Sequence, residues 1–365
     1  MSAPQSQIGY SPQIDALRAV AVGGVLFTHF WMPDTQWGHL GVRLFFVLSG
    51  YLITAILLST REAGSGLRQT WKAFYIRRAV RIFPAYYLLL VIGAVLSPEI
   101  RAVIPWHALY ASNLLFASTD SWGYWPLSHL WSLSVEEQFY LVWPFVVLLV
   151  PHRALIPVLV LVIVSAVLFR FSMIDAAEGP AKYVLTPAAF DALGAGGLLA
   201  ALEQRGQIGT WARRAAIVLA ALAMGAIFWM QGPGYSAQTY YLLSDTLLVV
   251  PMIAAVIACR MRTESLWGWI FEARPLRALG RISYGIYLFH FPILALIFRA
   301  YASLGVPLPQ HGPALFLLAS SATVAVAAAS WFCLERPALR LKSKFGYAGP
   351  EHPSAKTRPL ADAAR

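Results

Sequence analysis

Long apolar stretches alternate with short polar connections along nearly the whole chain. Each stretch is roughly 20 residues long, enough to cross a hydrocarbon core of about 30 Å as a helix. We place ten such spans, at roughly 14–32, 40–58, 82–97, 131–150, 154–171, 187–203, 214–230, 240–259, 282–300 and 314–333. The pattern therefore predicts an all-α fold, a polytopic membrane bundle of about ten transmembrane helices.

Three parts of the chain fall outside this pattern. Within 98–130, residues 103–117 are apolar but broken by Pro105, His107, Ser112 and Asn113, so we expect an outside-facing re-entrant or interfacial helix there. Residues 1–9 form a short N-terminal segment. Residues 341–365 are basic and rich in Pro and Gly, which is typical of a disordered tail. We expect one membrane domain over 10–340.

Composition and charge support a membrane protein and give its orientation. Of the 365 residues, 58% are hydrophobic and only 12% charged, whereas soluble domains have about 25% charged residues. Of the 28 Lys and Arg residues, 22 fall on the connections of one side, and Arg18 lies within the first span. The other five fall on the opposite side: Arg43, Arg101, Arg170, Lys182 and Arg299. Since positive charge collects on the inner side of a membrane, we expect both termini in the cytoplasm of a bacterial-type inner membrane. The net charge of +11 is thus explained without a nucleic acid.

The first span carries three ionisable residues. Asp15 and Arg18 lie three residues apart and can pair. Arg18 and His29 lie eleven residues apart, about three turns and roughly 16 Å along a helix, so they share one face. Ionisable groups inside a span are costly unless they face a polar cavity or each other. We expect this helix to line a site.

The second span contains Ser49 and Gly50. Small residues are common where membrane helices pack closely, which explains Gly50 by packing alone. A serine hydroxyl can also accept an acyl group, but the sequence places no general base beside Ser49.

Arg77, Arg78 and Arg81 form a basic cluster before the third span. At helical spacing they present several guanidinium groups together. Such a cluster either anchors the helix to lipid phosphates or binds a phosphorylated cofactor bidentately.

A polar stripe crosses the span 131–150. His129, Ser132, Glu136 and Tyr140 follow one another at three- and four-residue spacing. A polar stripe within a Leu- and Trp-rich helix faces protein or water rather than lipid. Glu136 is therefore a site candidate, although it could simply neutralise a buried cation.

Two later spans add polar groups. Asp191 lies in a glycine-rich span, and Tyr287 and His290 lie on one face of the span 282–300. His290 precedes Pro292 and could instead be a hydrogen-bonding residue at a helix kink. We find no metal-ligand spacing and no phosphate-binding glycine loop, and we expect no metal.

Taken together, these stretches resemble the acyltransferase 3 family of integral membrane acyltransferases. The resemblance covers about 14–337 and rests on five motifs in order: Asp15-x-Leu17-Arg18 with His29, the FFVLSG of 45–50, Arg78-x-x-Arg81, Ser132-x-x-x-Glu136, and LGRISYGIYLFH at 279–290. Arg43 stands where the family often has an acidic residue, so we assign it no role.

The resemblance implies transfer of an acyl group, most often acetyl, from cytoplasmic acyl-CoA to a hydroxyl of a carbohydrate or glycolipid acceptor. We assign His29 as general base, assisted by Arg18, Asp15 and Glu136. The donor would be bound by Arg77, Arg78, Arg81 and Ser49. The acceptor side would comprise Ser132, Tyr140, His129, Tyr287, His290 and Asp191.

Two other classes compete with this interpretation. Dense intramembrane charge also suits a proton-coupled transporter or flippase, though we find no internal repeat of the kind that many transporters contain. A non-catalytic scaffold would leave the buried charges unexplained. The sequence does not distinguish direct transfer from a covalent acyl-histidine or acyl-serine route, nor does it give the acceptor, the acyl length or the oligomeric state.

Overall fold

The computed structural model describes residues 12–174, 179–232, 237–260, 270–341 and 345. These residues form helices and no strands. The α-helices are α1 (Pro12–Phe30), α2 (Trp37–Glu62), α3 (Leu67–Leu96), α4 (Pro98–Ala108), α5 (Ser112–Ser118), α6 (Leu130–Leu149), α7 (His152–Ser172), α8 (Ala181–Val184), α9 (Phe190–Gln204), α10 (Thr210–Met230), α11 (Ala237–Arg260), α12 (Arg274–Arg281), α13 (Ser283–Ser303), α14 (Pro313–Ser330) and α15 (Arg336–Arg340). Short 3₁₀ segments occupy Trp125–Leu127 and Thr186–Ala189, and a π-helical turn, Trp331–Glu335, joins α14 to α15.

The predicted polytopic helical bundle is confirmed. In the described part of the chain, eight helical stretches are long and apolar enough to cross a membrane. Two of the ten predicted spans are not among these eight, and they correspond to α1 and α9. Helix α1 carries Asp15, Arg18 and His29, which lower its hydropathy. Helix α9 has only 15 residues and is too short. The count of ten and the cytoplasmic location of the termini stay predictions.

Both of these helices pack in the interior against α2. The contact between α2 and α9 is so close that a Cβ on Gly50 would lie 1.9 Å from the Leu193 carbonyl oxygen. A Cβ on Gly196 would likewise lie 2.1 Å from the Val47 carbonyl oxygen. Glycine is therefore required on both helices, as is common where membrane helices approach closely.

The stretch 98–130 is divided into α4, α5 and a 3₁₀ turn, and none of these is long enough to span a membrane. The predicted N-terminal segment 1–9 lies outside the described residues. So does the predicted tail, except for Leu341 and Phe345.

Helix α1 lies in the interior of the bundle. It packs on α2 and also contacts α12, α13 and α14. Since α2 in turn packs on α6, and α13 contacts α3, the motif residues on α1, α2, α3, α6 and α13 can converge on one region.

Candidate active site

A polar pocket lies where α1, α2, α3, α6 and α13 meet. The empty space in and around it is about 700 Å³, open solvent at its mouth included. Its polar lining residues are Arg18, Ser49, Arg78, Arg81, Ser132, Glu136, Tyr140, Ser283, Tyr284 and Tyr287. We call this the arginine pocket. All five motifs of the sequence analysis contribute residues to it.

Three guanidinium groups face this pocket, from Arg18, Arg78 and Arg81, against one lining carboxylate, Glu136. Asp15 lies 3.6 Å from Arg18 and partly offsets its charge. The lining nevertheless carries more positive than negative charge. Like charges held together in a partly dry site repel, so this arrangement favours an anionic ligand.

Arg77 points elsewhere. Its guanidinium donates to the Phe345 carbonyl oxygen over 3.2 Å, and Arg77 is not among the pocket-lining residues. Of the three arginines predicted to bind a donor, the structure thus brings together Arg78 and Arg81.

Ser49, Glu136 and Tyr140 form one hydrogen-bonded chain in the pocket. The Ser49 hydroxyl donates to Glu136 Oε1 over 2.6 Å, and the Tyr140 hydroxyl donates to Ser49 over 2.8 Å. The Arg78 guanidinium lies 3.6 Å from the centroid of the Tyr140 ring, a cation–π contact. Ser49 therefore does have a carboxylate beside it, which the sequence did not indicate.

A second group of polar residues, which we call the histidine cluster, comprises His29, His129 and His290. His29 Nδ1 lies 3.1 Å from His290 Nε2. The ring of His129 lies 4.6 Å from that of His290, with Phe291 packed against all three. His29 does not line the arginine pocket.

Tyr287 joins the two regions. It lines the arginine pocket, and its ring lies 5.5 Å from those of both His129 and His290. Its hydroxyl lies 2.6 Å from that of Ser132 and donates to the His129 carbonyl oxygen over 3.1 Å. The polar stripe predicted on α6 thus runs from the arginine pocket to the histidine cluster.

Backbone carbonyls of α13 hold two of the histidines. His290 Nδ1 lies 2.6 Å from the Tyr287 carbonyl oxygen, and His129 Nε2 lies 3.1 Å from that of Leu288. Pro292 has no N–H and so leaves the Leu288 carbonyl, four residues earlier, without its helical donor. His129 is therefore the residue that satisfies the carbonyl freed by the proline. The Nδ1 of His129 is buried and has no hydrogen-bond partner among the described residues.

Asp191 lies outside both regions, in a buried ion cluster. Its two carboxylate oxygens lie 2.6 Å from Arg43 and 2.8 Å from Arg170. Asp245 lies 3.8 Å from Arg43 and 2.6 Å from His39. We call these five residues the salt-bridge cluster. Both oxygens of Asp191 have guanidinium partners, so it lies apart from the other residues assigned to the acceptor side, and its assignment stays a prediction.

Sequence reasoning missed most of this cluster. Arg43 and Arg170 were counted among the basic residues of the outer connections, but they are buried, with 3% and 0% of their surface exposed. A charged residue inside or at the edge of an apolar run, as at Arg170 and Asp245, was the signal that could have found it. In the described residues no group of three or more His, Cys, Asp or Glu side chains could hold a metal ion.

Comparisons with known proteins agree with the motif content. The family model for the acyltransferase 3 domain, described as an acyltransferase domain, matches residues 11–332. The peptidoglycan O-acetyltransferase OatA of Listeria monocytogenes is 36% identical over 312 residues, 79% of this chain and 50% of that protein. The putative peptidoglycan O-acetyltransferase YrhL of Bacillus subtilis is 32% identical, over 90% of this chain and 55% of that protein.

The O-acetyltransferase OatA of Staphylococcus aureus is 29% identical, over 82% of this chain and 53% of its own length. The chain thus spans about half the length of the curated relatives it matches. No solved structure matches it significantly.

Proposed function

Because the chain belongs to the acyltransferase 3 family, we propose that it is a membrane O-acetyltransferase, which transfers an acetyl group from acetyl-CoA to a carbohydrate hydroxyl. The observation that carries the proposal is the arginine pocket: three guanidinium groups gathered around one carboxylate, adjoining a histidine cluster. The relatives' names support a cell-envelope glycan as acceptor class.

The arginine pocket would hold the anionic part of the donor. Coenzyme A carries several phosphate groups, and arginine binds phosphate oxygens through two parallel N–H bonds. In this proposal Arg78 and Arg81 bind phosphate, and Tyr140 fixes the plane of the Arg78 guanidinium by stacking. Arg18 faces the same pocket, so we assign it to the donor as well, with Asp15 orienting it.

The reaction would take place at the histidine cluster. His29 lies about three turns, roughly 16 Å, along α1 from Arg18. This separation suits a long donor whose phosphates and thioester lie at opposite ends. The polar groups of Ser132 and Tyr287 lie between the two ends.

His29 would act as general base. It takes the proton of the acceptor hydroxyl while the hydroxyl oxygen bonds to the thioester carbonyl carbon, after which the carbon–sulfur bond breaks. The thiolate leaves and takes the proton back from His29. Neutral imidazole suits this task near pH 7, and such catalysis contributes roughly 10²- to 10⁴-fold. In this direct route Ser49 binds the donor and forms no acyl-enzyme.

The test is acetyl transfer by the purified, reconstituted protein. Radiolabelled acetyl-CoA is supplied with a soluble glycan acceptor such as chitotetraose, and labelled glycan is counted for wild type, His29→Ala and His311→Ala. His311 is an exposed histidine near the same end of α1 and serves as the matched control. We expect at least a 100-fold loss in His29→Ala and little change in His311→Ala.

Equal transfer by His29→Ala and wild type would refute the base assignment. Movement of labelled glycan across the vesicle membrane in the absence of acetyl-CoA, with no acetyl transfer by the wild type, would favour the transporter over the enzyme.

A further inference from the structure

The histidine cluster contains a chain of hydrogen bonds whose direction can be worked out from its ends. A backbone carbonyl oxygen can only accept a hydrogen bond. Tyr287 O lies 2.6 Å from His290 Nδ1, so this nitrogen carries a proton. In neutral imidazole only one nitrogen is protonated, which leaves His290 Nε2 as an acceptor.

The next bond in the chain has only one compatible direction. His290 Nε2 lies 3.1 Å from His29 Nδ1, and since Nε2 accepts, His29 Nδ1 must donate. His29 is then the Nδ1–H tautomer. Its Nε2 carries a lone pair, which is the atom a general base needs.

From this chain we infer that His290 is a positioning residue, which holds His29 in the tautomer that can accept the acceptor's proton. The inference rests on the proposed function and deepens it, because it names what prepares the base. Tyr287 takes part in this hydrogen-bond chain through its backbone carbonyl rather than its side chain. The order Tyr287 O, His290, His29 corresponds to the way in which a third group orients the base of a catalytic triad.

The surroundings of His29 supply no competing partner for Nδ1. In the described part of the chain, the ionisable groups that face His29 from the packed elements are His290 on α13, His129 before α6 and His311 before α14. His129 donates through Nε2 to Leu288 O, so its bonding is directed to α13 rather than to His29. The remaining ring neighbours of His29 include Phe291, which has no hydrogen-bonding group.

A neutral histidine in this position can hold the base throughout the reaction, as the carboxylate of a catalytic triad does. When His29 takes the acceptor's proton at Nε2, its Nδ1–H continues to donate to His290 Nε2, and no proton needs to leave the pair. The same Nε2 proton passes to the departing thiolate, which restores the starting state. Protons and electron pairs therefore balance without a further group.

Two substitutions at position 290 separate positioning from packing. His290→Gln places an amide oxygen near the position of Nε2, where it can accept from His29, and its NH₂ can still donate. His290→Leu keeps comparable bulk but leaves the buried His29 N–H without an acceptor. In His290→Leu we expect kcat to fall roughly 10- to 100-fold, with KM for acetyl-CoA nearly unchanged. In His290→Gln we expect most of the wild-type kcat to be kept.

The tautomer itself can be read without any enzymatic activity. Magic-angle-spinning NMR of ¹⁵N-histidine-labelled protein in lipid, assigned by comparison with His29→Ala, distinguishes protonated from bare ring nitrogens. We expect His29 Nδ1 to be protonated in wild type and His290→Gln, and Nε2 protonation to increase in His290→Leu.

Wild-type kcat in His290→Leu together with an unchanged His29 signal would overturn the inference. A wild type that transfers no acetyl group but shows the expected tautomer would instead refute the proposed function and leave the hydrogen-bond chain standing. A bare His29 Nδ1 in the wild type would refute the chain whatever the activity.

Discussion

The arginine pocket and the salt-bridge cluster both gather arginines inside the helix bundle, but they differ in how the charge is balanced. In the salt-bridge cluster Arg43 and Arg170 each lie within 2.8 Å of an oxygen of Asp191. Arg43 also lies 3.8 Å from Asp245. In the arginine pocket three arginines share one lining carboxylate.

In our proposal, this difference separates charge that holds the fold from charge that binds a ligand. A buried ion cluster with matched charges leaves little charge for a ligand to balance, and removing one partner is costly. Arg18, Arg78 and Arg81 outnumber the carboxylates that line the arginine pocket, so an anion bound there would improve the charge balance. A buried charge in a membrane protein is thus a sign of function mainly where the protein does not neutralise it.

The largest effect is expected from breaking the matched cluster. Asp191→Ala leaves Arg43 and Arg170 buried without their shared carboxylate, which is expected to cost about 3–5 kcal/mol. The variant should yield little folded protein, measured by fluorescence-detected size-exclusion chromatography after extraction. The triple variant Arg43→Met, Arg170→Met, Asp191→Leu removes all three charges and should recover much of the yield. A normal yield of Asp191→Ala would contradict the structural role of the cluster.

An intermediate effect is expected from Glu136→Gln in the arginine pocket. The change keeps the size of the side chain but removes the one carboxylate among the lining residues that the structure describes. The hydrogen bond from Ser49 is kept but loses its charge assistance, about 1 kcal/mol. The pocket becomes more positive, so acetyl-CoA binding should be kept or tightened while thermal stability falls. A loss of acetyl-CoA binding in calorimetry, with normal stability, would show that Glu136 contacts the donor instead.

The smallest effect is expected from Tyr140→Phe. The ring beneath Arg78 remains, and only the hydroxyl that donates to Ser49 is lost, so acetyl-CoA affinity should fall by about 0.5–1.5 kcal/mol. Tyr140→Leu also removes the cation–π contact and should bind more weakly than Tyr140→Phe. Equal affinities of the two variants would show that stacking on Arg78 does not contribute.

Helical periodicity accounts for what the sequence predicted correctly about single helices. Ser132, Glu136 and Tyr140 share one stripe of α6, and all three line the arginine pocket. The apolar runs likewise predicted the helical bundle. Both inferences need only the spacing of residues within one helix.

Contacts between distant helices could not be predicted in this way. Ser49 and Glu136 are 87 residues apart, Arg43 and Asp191 are 148 apart, and His29 and His290 are 261 apart. Periodicity shows which residues share a face but not which helix that face meets. For this reason Asp191 was assigned to the acceptor side, and the carboxylate beside Ser49 was missed.

The central claim is that the unbalanced arginines bind the anionic donor, and acetyl-CoA binding to neighbouring arginine variants tests it most directly. Isothermal titration of the protein in nanodiscs compares wild type, the double variant Arg78→Ala/Arg81→Ala, and Arg77→Ala as matched control, because Arg77 lies on the same helix but bonds to the Phe345 carbonyl. Two lost charge-assisted contacts predict at least a 100-fold weaker Kd in the double variant, with Arg77→Ala close to wild type. Equal affinity of the double variant and the wild type, or equal losses in both variants, would contradict the account.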